Sequence, residues 1–205
     1  MAAATIWTIG HSTQPLADFI ARLEAHGIEI VADVRRFPGS RRHPQFGSDA
    51  LRAGLADAGI DYRHFVALGG RRRPKPDSPN TAWRSEAFRG YADHLADADY
   101  REAFDQVCAL ARERRCALMC AESLWWRCHR SLIADDLVLH GWVVCHILGK
   151  GAEPQAFRGA PHPVGDAPTR ERVVRSILVN GPSTAAALAE RLDLTPAAVR
   201  RHLDL

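Results

Sequence analysis

The 205-residue chain is 46% apolar with a formal net charge of +3, which suits one domain of ordinary size with an appendage. No apolar run reaches membrane-spanning length, and Met1-Ala-Ala-Ala-Thr-Ile lacks the basic and long apolar regions of a signal peptide, so a cytoplasmic protein with no membrane contact is expected. Five cysteines, an odd number without a regular framework, fit free thiols in a reducing compartment better than a disulfide scaffold.

In chain order, Ile6-Trp-Thr-Ile9 is a short apolar strand ending at Gly10-His11-Ser12. Leu16, Phe19, Ile20 and Leu23 then repeat at helical spacing, with Ser12 or Thr13 as the expected cap and Gly27 as the stop. Ile28 to Ala32 is a second strand, running into Asp33-Val-Arg35. A helix capped by Ser48 and stopped by Gly59 precedes a weaker third strand at Asp61 to Val66. Helices start near Ser85, and Ala103, Phe104, Val107, Leu110 and Ala111 form a clear stripe. Ala117-Leu-Met119 is a fourth strand and Trp142 to Leu148 a fifth. Strands separated by helices need crossovers. The expectation is therefore a three-layer α/β domain over residues 1–148 with a mostly parallel sheet of about five strands.

The block after the fourth strand is the densest in chemistry. Cys120-Ala-Glu122-Ser-Leu-Trp125-Trp126-Arg127-Cys128-His129-Arg130 holds thiols, a carboxylate, an imidazole and guanidiniums where open α/β sheets collect ligands. Small buried thiols and solvated arginines are the plain alternative. The same topology brings His11-Ser12 and Asp33-x-Arg35 to the ends of their own strands, so three distant segments should converge. Between Arg35 and Lys75, ten Lys/Arg face three acids, a local +7 that includes Arg41, Arg42 and Arg71-Arg72-Arg73. An anionic small molecule or a nucleic acid is the expected partner.

The segments Thr8-Ile-Gly-His-Ser12, Asp33-Val-Arg-Arg-Phe-Pro-Gly-Ser40 with Pro44-x-Phe46, Leu68-Gly-Gly70, Phe88-Arg-Gly-Tyr-Ala-Asp93 and Cys120-Ala-Glu…Cys128-His-Arg130 resemble a bacterial domain-of-unknown-function family, number 488, over roughly Thr5 to Ala160. The resemblance implies a Rossmann-like fold with shared polar residues at these positions. It implies no reaction.

Several chemistries can be set against the spacing. A cysteine phosphatase or sulfurtransferase needs a short loop from thiolate to arginine, and neither Cys120 nor Cys128 stands at the usual distance from Arg130. Zinc lacks a Cys-x-x-Cys pair, and adjacent Cys128-His129 would have to turn toward one ion. No cofactor is required by the sequence, although His11, Asp33, Glu122 and His129 carry donors for a harder metal such as iron. No dinucleotide or Walker fingerprint follows the first strand. What remains is a hydrolase or transferase on a nucleotide or nucleic acid. Asp33 and Glu122 would be its acid–base pair, with Cys120 and His129 beside them. Arg35, Arg41, Arg42 and Arg130 would grip phosphate, Trp125 and Trp126 would stack on a base or sugar, and His11, Ser12 and Cys128 would line the site.

Residues 149–169, with four glycines and four prolines between Gly149 and Pro168, read as a linker or covering loop. Residues 170–205 then give a helix through Val173, Val174, Ile177 and Leu178, a second from Ser183 to Leu192, and a third opened by Thr195-Pro196. They resemble the three-helix core of winged helix-turn-helix regulators without a wing, which implies DNA contact through Arg200 and Arg201. This segment is too short to fold well alone and should pack on the main domain or pair with another chain as a homodimer. A DNA-binding regulator or ligand sensor is thus the alternative to an enzyme, and a metal-binding protein a third.

Overall fold

The structure is a computed structural model that describes residues 4–39, 42–149, 155–157, 173, 176–177 and 183–203. The strands are β1 (Thr5–Gly10), β2 (Ile30–Asp33), β3 (Asp61–His64), β4 (Cys116–Cys120), β5 (Val143–Ile147) and β6 (Gln155–Phe157), joined in one sheet of order β3-β2-β4-β1-β5-β6. The first five run parallel, and β6 pairs antiparallel to β5. The chain is therefore α/β. The antiparallel β6 lies in the segment whose Gly/Pro content suggests a linker, and three residues carry too little periodicity to show it in advance.

Helices α1 (Leu16–Ala25) and α2 (Ser48–Asp57) cover one face of the sheet, and α3 (Glu86–His94), α4 (Ala98–Glu113) and α5 (Arg130–Leu139) the other. Strand alternation makes this division. Trp7, Ile9, Ala117 and Met119 pack with Phe19, Leu23, Leu51 and Leu55, while Ile6, Cys116, Leu118 and Cys120 pack with Tyr91, Phe104 and Leu132. Buried on both faces, β1, β2 and β4 have no polar side to reveal a period of two. Edge strand β3 is half-exposed instead.

Local signals behave unevenly. Gly27 and Gly59 end α1 and α2 at φ +60° and +71°, as expected of glycine stops. Neither Ser12 nor Thr13 caps α1. Pro15, with φ −59°, takes the N-cap position and leaves Ser12 in the left-handed region at φ +50°. Ser48 is the first residue of α2 rather than its cap, which is Gly47.

Helices α6 (Ala185–Leu192) and α7 (Pro196–Leu203) are joined through Asp193, in the left-handed region at φ 55°, and Thr195 Oγ1 accepts from Ala198 N at 3.1 Å. Leu188, Ala189, Val199 and Leu203 are buried in the same apolar cluster as the α3 and α4 side of the sheet, together with Val173 and Ile177. Arg170, Val174, Leu178 and most of the expected linker lie outside the described residues.

Candidate functional site

Neighbouring strands β2, β4 and β1 deliver their carboxyl ends to one place. The ends are tied by backbone bonds, His11 N to Cys120 O at 3.0 Å, Ser12 N to Ala121 O at 2.9 Å and Val34 N to Met119 O at 3.0 Å. Gly10 makes the approach sterically feasible, because a Cβ there would collide with the Glu122 carbonyl oxygen. Above these ends opens a cleft of about 610 Å³. His11, Ser12, Arg35, Cys120, Glu122, Cys128 and His129 line it, with Arg36, Arg71, Arg127 and His43 around them.

Asp33 does not line the cleft; it lies fully buried behind Arg35. Its carboxylate accepts from Arg35 Nε at 2.9 Å and Nη2 at 2.6 Å, from the Arg35 amide at 2.9 Å and from Tyr62 Oη at 2.8 Å. Burial and the adjacent Asp33 push the Tyr62 hydroxyl's pKa upward, so it stays a donor. Both Asp33 oxygens are thus occupied by donors, a geometry that suits holding a guanidinium rather than exchanging protons with substrate. Arg35 also donates to Phe46 O at 2.8 Å and contacts His11 Nε2 at 3.2 Å. As Nε2 must accept there, His11 carries its proton on Nδ1 and gives it to Ser12 O at 2.8 Å. Burial beneath the stacked Phe46 ring, 4.1 Å away, pulls its pKa down to about 4, so the ring is neutral at neutral pH.

The other centre is formed where β4 gives way to α5. Arg130 opens α5, is 1% exposed, and donates Nε to Cys128 Sγ at 3.3 Å, Nη1 to Thr8 Oγ1 at 3.5 Å and Nη2 to the Glu122 carbonyl. Among the described residues no carboxylate forms an ion pair with it. A buried guanidinium demands a counter-charge, and the group in position to supply one is the Cys128 sulfur. That sulfur also accepts from the Arg130 amide at 3.4 Å, in the first turn of the helix. Burial raises the Cys128 pKa, but the Cys120 hydrogen bond, the Arg130 charge and these N–H donors outweigh it and bring the thiol down to about 6. Cys120 moves the other way, raised by its hydrogen bond to Cys128 and by burial. The pair is a thiol beside a thiolate.

His129 Nε2 meets Val34 O at 2.8 Å and must donate there, which leaves Nδ1 as the ring's acceptor. Gly70 keeps that atom open, since a Cβ on Gly70 would stand 2.6 Å from it. Tyr91 flanks the ring at 5.1 Å and donates to Leu68 O at 2.7 Å. These contacts explain physically why Leu68-Gly-Gly70 and the Phe88-to-Asp93 segment accompany the cysteine block, a link that spacing alone does not show.

Glu122 is exposed and is the one carboxylate among the lining residues; its Oε1 accepts from Leu124 N at 3.1 Å and Ser123 Oγ at 3.3 Å. Trp125 is buried and stacked on His146 at 4.0 Å, and neither it nor Trp126 lines the cleft. Arg42 is exposed away from the lining, and Arg41 lies outside the described residues.

Cys120, Cys128 and His129 offer ligand atoms all within 4.8 Å of one another, as do His94, Asp97 and Asp99. The spacing argument against adjacent Cys128 and His129 turning toward one point is thus overturned by the turn before α5. Arg130 on Cys128 works against a dication at the first group, and Lys75 Nζ sits 2.9 Å from Asp97 at the second. The expected iron set of His11, Asp33, Glu122 and His129 does not gather among the described residues, because Arg35 and Tyr62 take the Asp33 oxygens.

A family model described as "Domain of unknown function DUF488" matches residues 15–137, more than half of the chain. No curated protein and no solved structure matches.

Proposed function

We propose for this chain, which belongs to the DUF488 family, a hydrolase or transferase activity on a phosphate-bearing substrate, a nucleotide or nucleic acid, with Cys128 as nucleophile. The observation that carries the reading is the buried Arg130 guanidinium, whose counter-charge is the Cys128 sulfur at the floor of an arginine-lined cleft. Arg35, Arg36, Arg71 and Arg127 bind the anionic group, and Asp33 acts as a positioning residue that fixes Arg35. Cys128 Sγ attacks the phosphorus; the bond to the leaving oxygen breaks, that oxygen takes a proton from solvent and departs, and the phosphoryl group stays on sulfur until the water or acceptor displaces the thiolate. Glu122, exposed at the rim, takes a proton from the water or acceptor that releases the product. The role expected of an Asp33–Glu122 pair passes to a thiolate and one carboxylate. The test is a panel of nucleotides and phosphate esters followed by intact-mass analysis. Cys128→Ser should abolish turnover, and Glu122→Gln should slow it by ~10²-fold or more and accumulate an adduct on Cys128. Turnover by Cys128→Ser at the wild-type rate would refute the assignment.

A second reading rests on the α6–α7 pair. Its two helices share a buried apolar seam across a short turn, and Arg201 is exposed on α7 with Arg200 half-buried beside it. Placing α7 against a DNA groove would put Arg201 on phosphate or a base edge. Retarded migration of duplex DNA by wild type but not by Arg200→Ala/Arg201→Ala tests it.

A further inference from the structure

Group transfer through Cys128 leaves Cys120 without a task. Both sulfurs line the cleft and lie within 4.8 Å of each other, while Cys108, Cys116 and Cys145 are buried away from it. Arg130 holds the two together from below, with Nε on Cys128 Sγ and Nη2 on the carbonyl of Glu122, two residues past Cys120. The intervening chain is loop apart from the 3-10 turn Trp125–Arg127, so contracting the gap to the ~2.05 Å of a disulfide breaks no strand or long helix. The proton inventory divides the labour: Cys128 holds the low pKa and the charge, and Cys120 keeps its proton.

We propose that Cys128 and Cys120 are the attacking and resolving thiols of a hydroperoxide-reducing site. The proposal rests on the Cys128 thiolate of the preceding reading and on neither its phosphate-bearing substrate nor Glu122. Cys128 Sγ attacks the terminal oxygen of ROOH; the O–O bond breaks, the sulfur keeps OH as a sulfenic acid, and RO⁻ leaves and takes a proton from solvent as ROH. Cys120 then gives up its proton and attacks Cys128 Sγ. The S–O bond breaks, and hydroxide departs with that proton as water. Two electrons leave the sulfurs and two reduce the peroxide. Arg130 stabilises the reduced thiolate, which makes the bridged form the more easily reduced one. Closing the bridge therefore needs a strong oxidant such as a hydroperoxide, and a thiol reductant opens it again.

The experiment treats the full chain with stoichiometric hydrogen peroxide and titrates thiols after denaturation. The expected result is a fall from five free thiols to three, a peptide cross-linked between Cys120 and Cys128, and return to five with a thiol reductant. Cys120→Ser, or Cys120→Ala should the serine variant misfold, should instead accumulate a sulfenic acid trapped by dimedone on Cys128. Five surviving thiols, a cross-link between other cysteines, or purified protein carrying a metal on these sulfurs would overturn the proposal, and the wild-type measurement needs no variant. If the wild type cross-links but turns over no phosphate-bearing substrate, only the group-transfer reading falls. If it turns substrate over without cross-linking, only this one does.

Discussion

Replacing Arg130 with methionine tests the charge pairing at the centre of the site, since it retains a long side chain and removes the guanidinium. A thiol held at about 6 instead of the ordinary 9 means that the fold stabilises the Cys128 thiolate by about 4 kcal/mol. The Cys120 hydrogen bond and the Arg130 amide survive the substitution, while the charge and the Nε–H do not. The alkylation midpoint should therefore rise by roughly one to two pH units, equivalent to ~1.4–2.7 kcal/mol. The assay is the rate of iodoacetamide labelling at Cys128 against pH, read by peptide mapping; Cys108, Cys116 and Cys145 are buried with raised pKa values and stay silent in the acid range. The sign for stability follows. A thiol whose pKa is lower in the folded state adds its full share above pH 9 and loses it progressively as pH falls to about 6, so wild type should lose more stability over that window than Arg130→Met. A wild-type midpoint above 8, or an unchanged midpoint in Arg130→Met, would refute the pairing.

Asp33→Asn should cost ~3–5 kcal/mol by chemical denaturation, because it leaves the buried Arg35 guanidinium without its charge partner; a loss below 1 kcal/mol would show that Arg35 finds another. Inorganic phosphate should bind the cleft with an affinity that weakens as salt rises and drops further in Arg36→Ala/Arg71→Ala, measured by calorimetry; salt-independent binding would place the anion elsewhere. If α7 contacts DNA phosphate through Arg201, Arg201→Ala should lower the slope of log affinity against log salt by ~1, and an unchanged slope would remove Arg201 from the interface.

The gathering of His11, Arg35, Glu122, Cys120 and His129 was legible because strand ends in a parallel sheet share an edge, a consequence of topology that needs no side-chain detail. The roles inside that edge were not. Asp33 and Glu122 look equivalent in sequence, yet one is buried under Arg35 and Tyr62 and the other stands at the rim, a difference set by Tyr62 on a neighbouring strand. Sequence distance between Cys128 and Arg130 suggested no thiolate cradle. A single 3-10 turn followed by the helix start folds the Arg130 side chain back onto the sulfur, and two residues suffice. Trp125 and Trp126 looked like a stacking platform, and burial against His146 depends on β5, more than fifteen residues downstream.

That burial has its own consequence for Cys128. Thr8 Oγ1 accepts from Arg130 Nη1 and lies 2.6 Å from His146 Nδ1, so one hydroxyl links the guanidinium to the imidazole. Burial first, and the Arg130 charge second, hold the His146 pKa well below its ordinary value, so the ring stays neutral under the stacked Trp125. A protonated imidazole here would repel Arg130. With His146, His11 and His129 all held toward the neutral form by burial, the positive charge in contact with Cys128 is that of the buried Arg130 guanidinium, and a charge pair with a buried partner is stronger than one in water. Trp125 thus acts on the site from behind, by covering His146 and keeping it uncharged, and the cleft side is left to the arginines that line it.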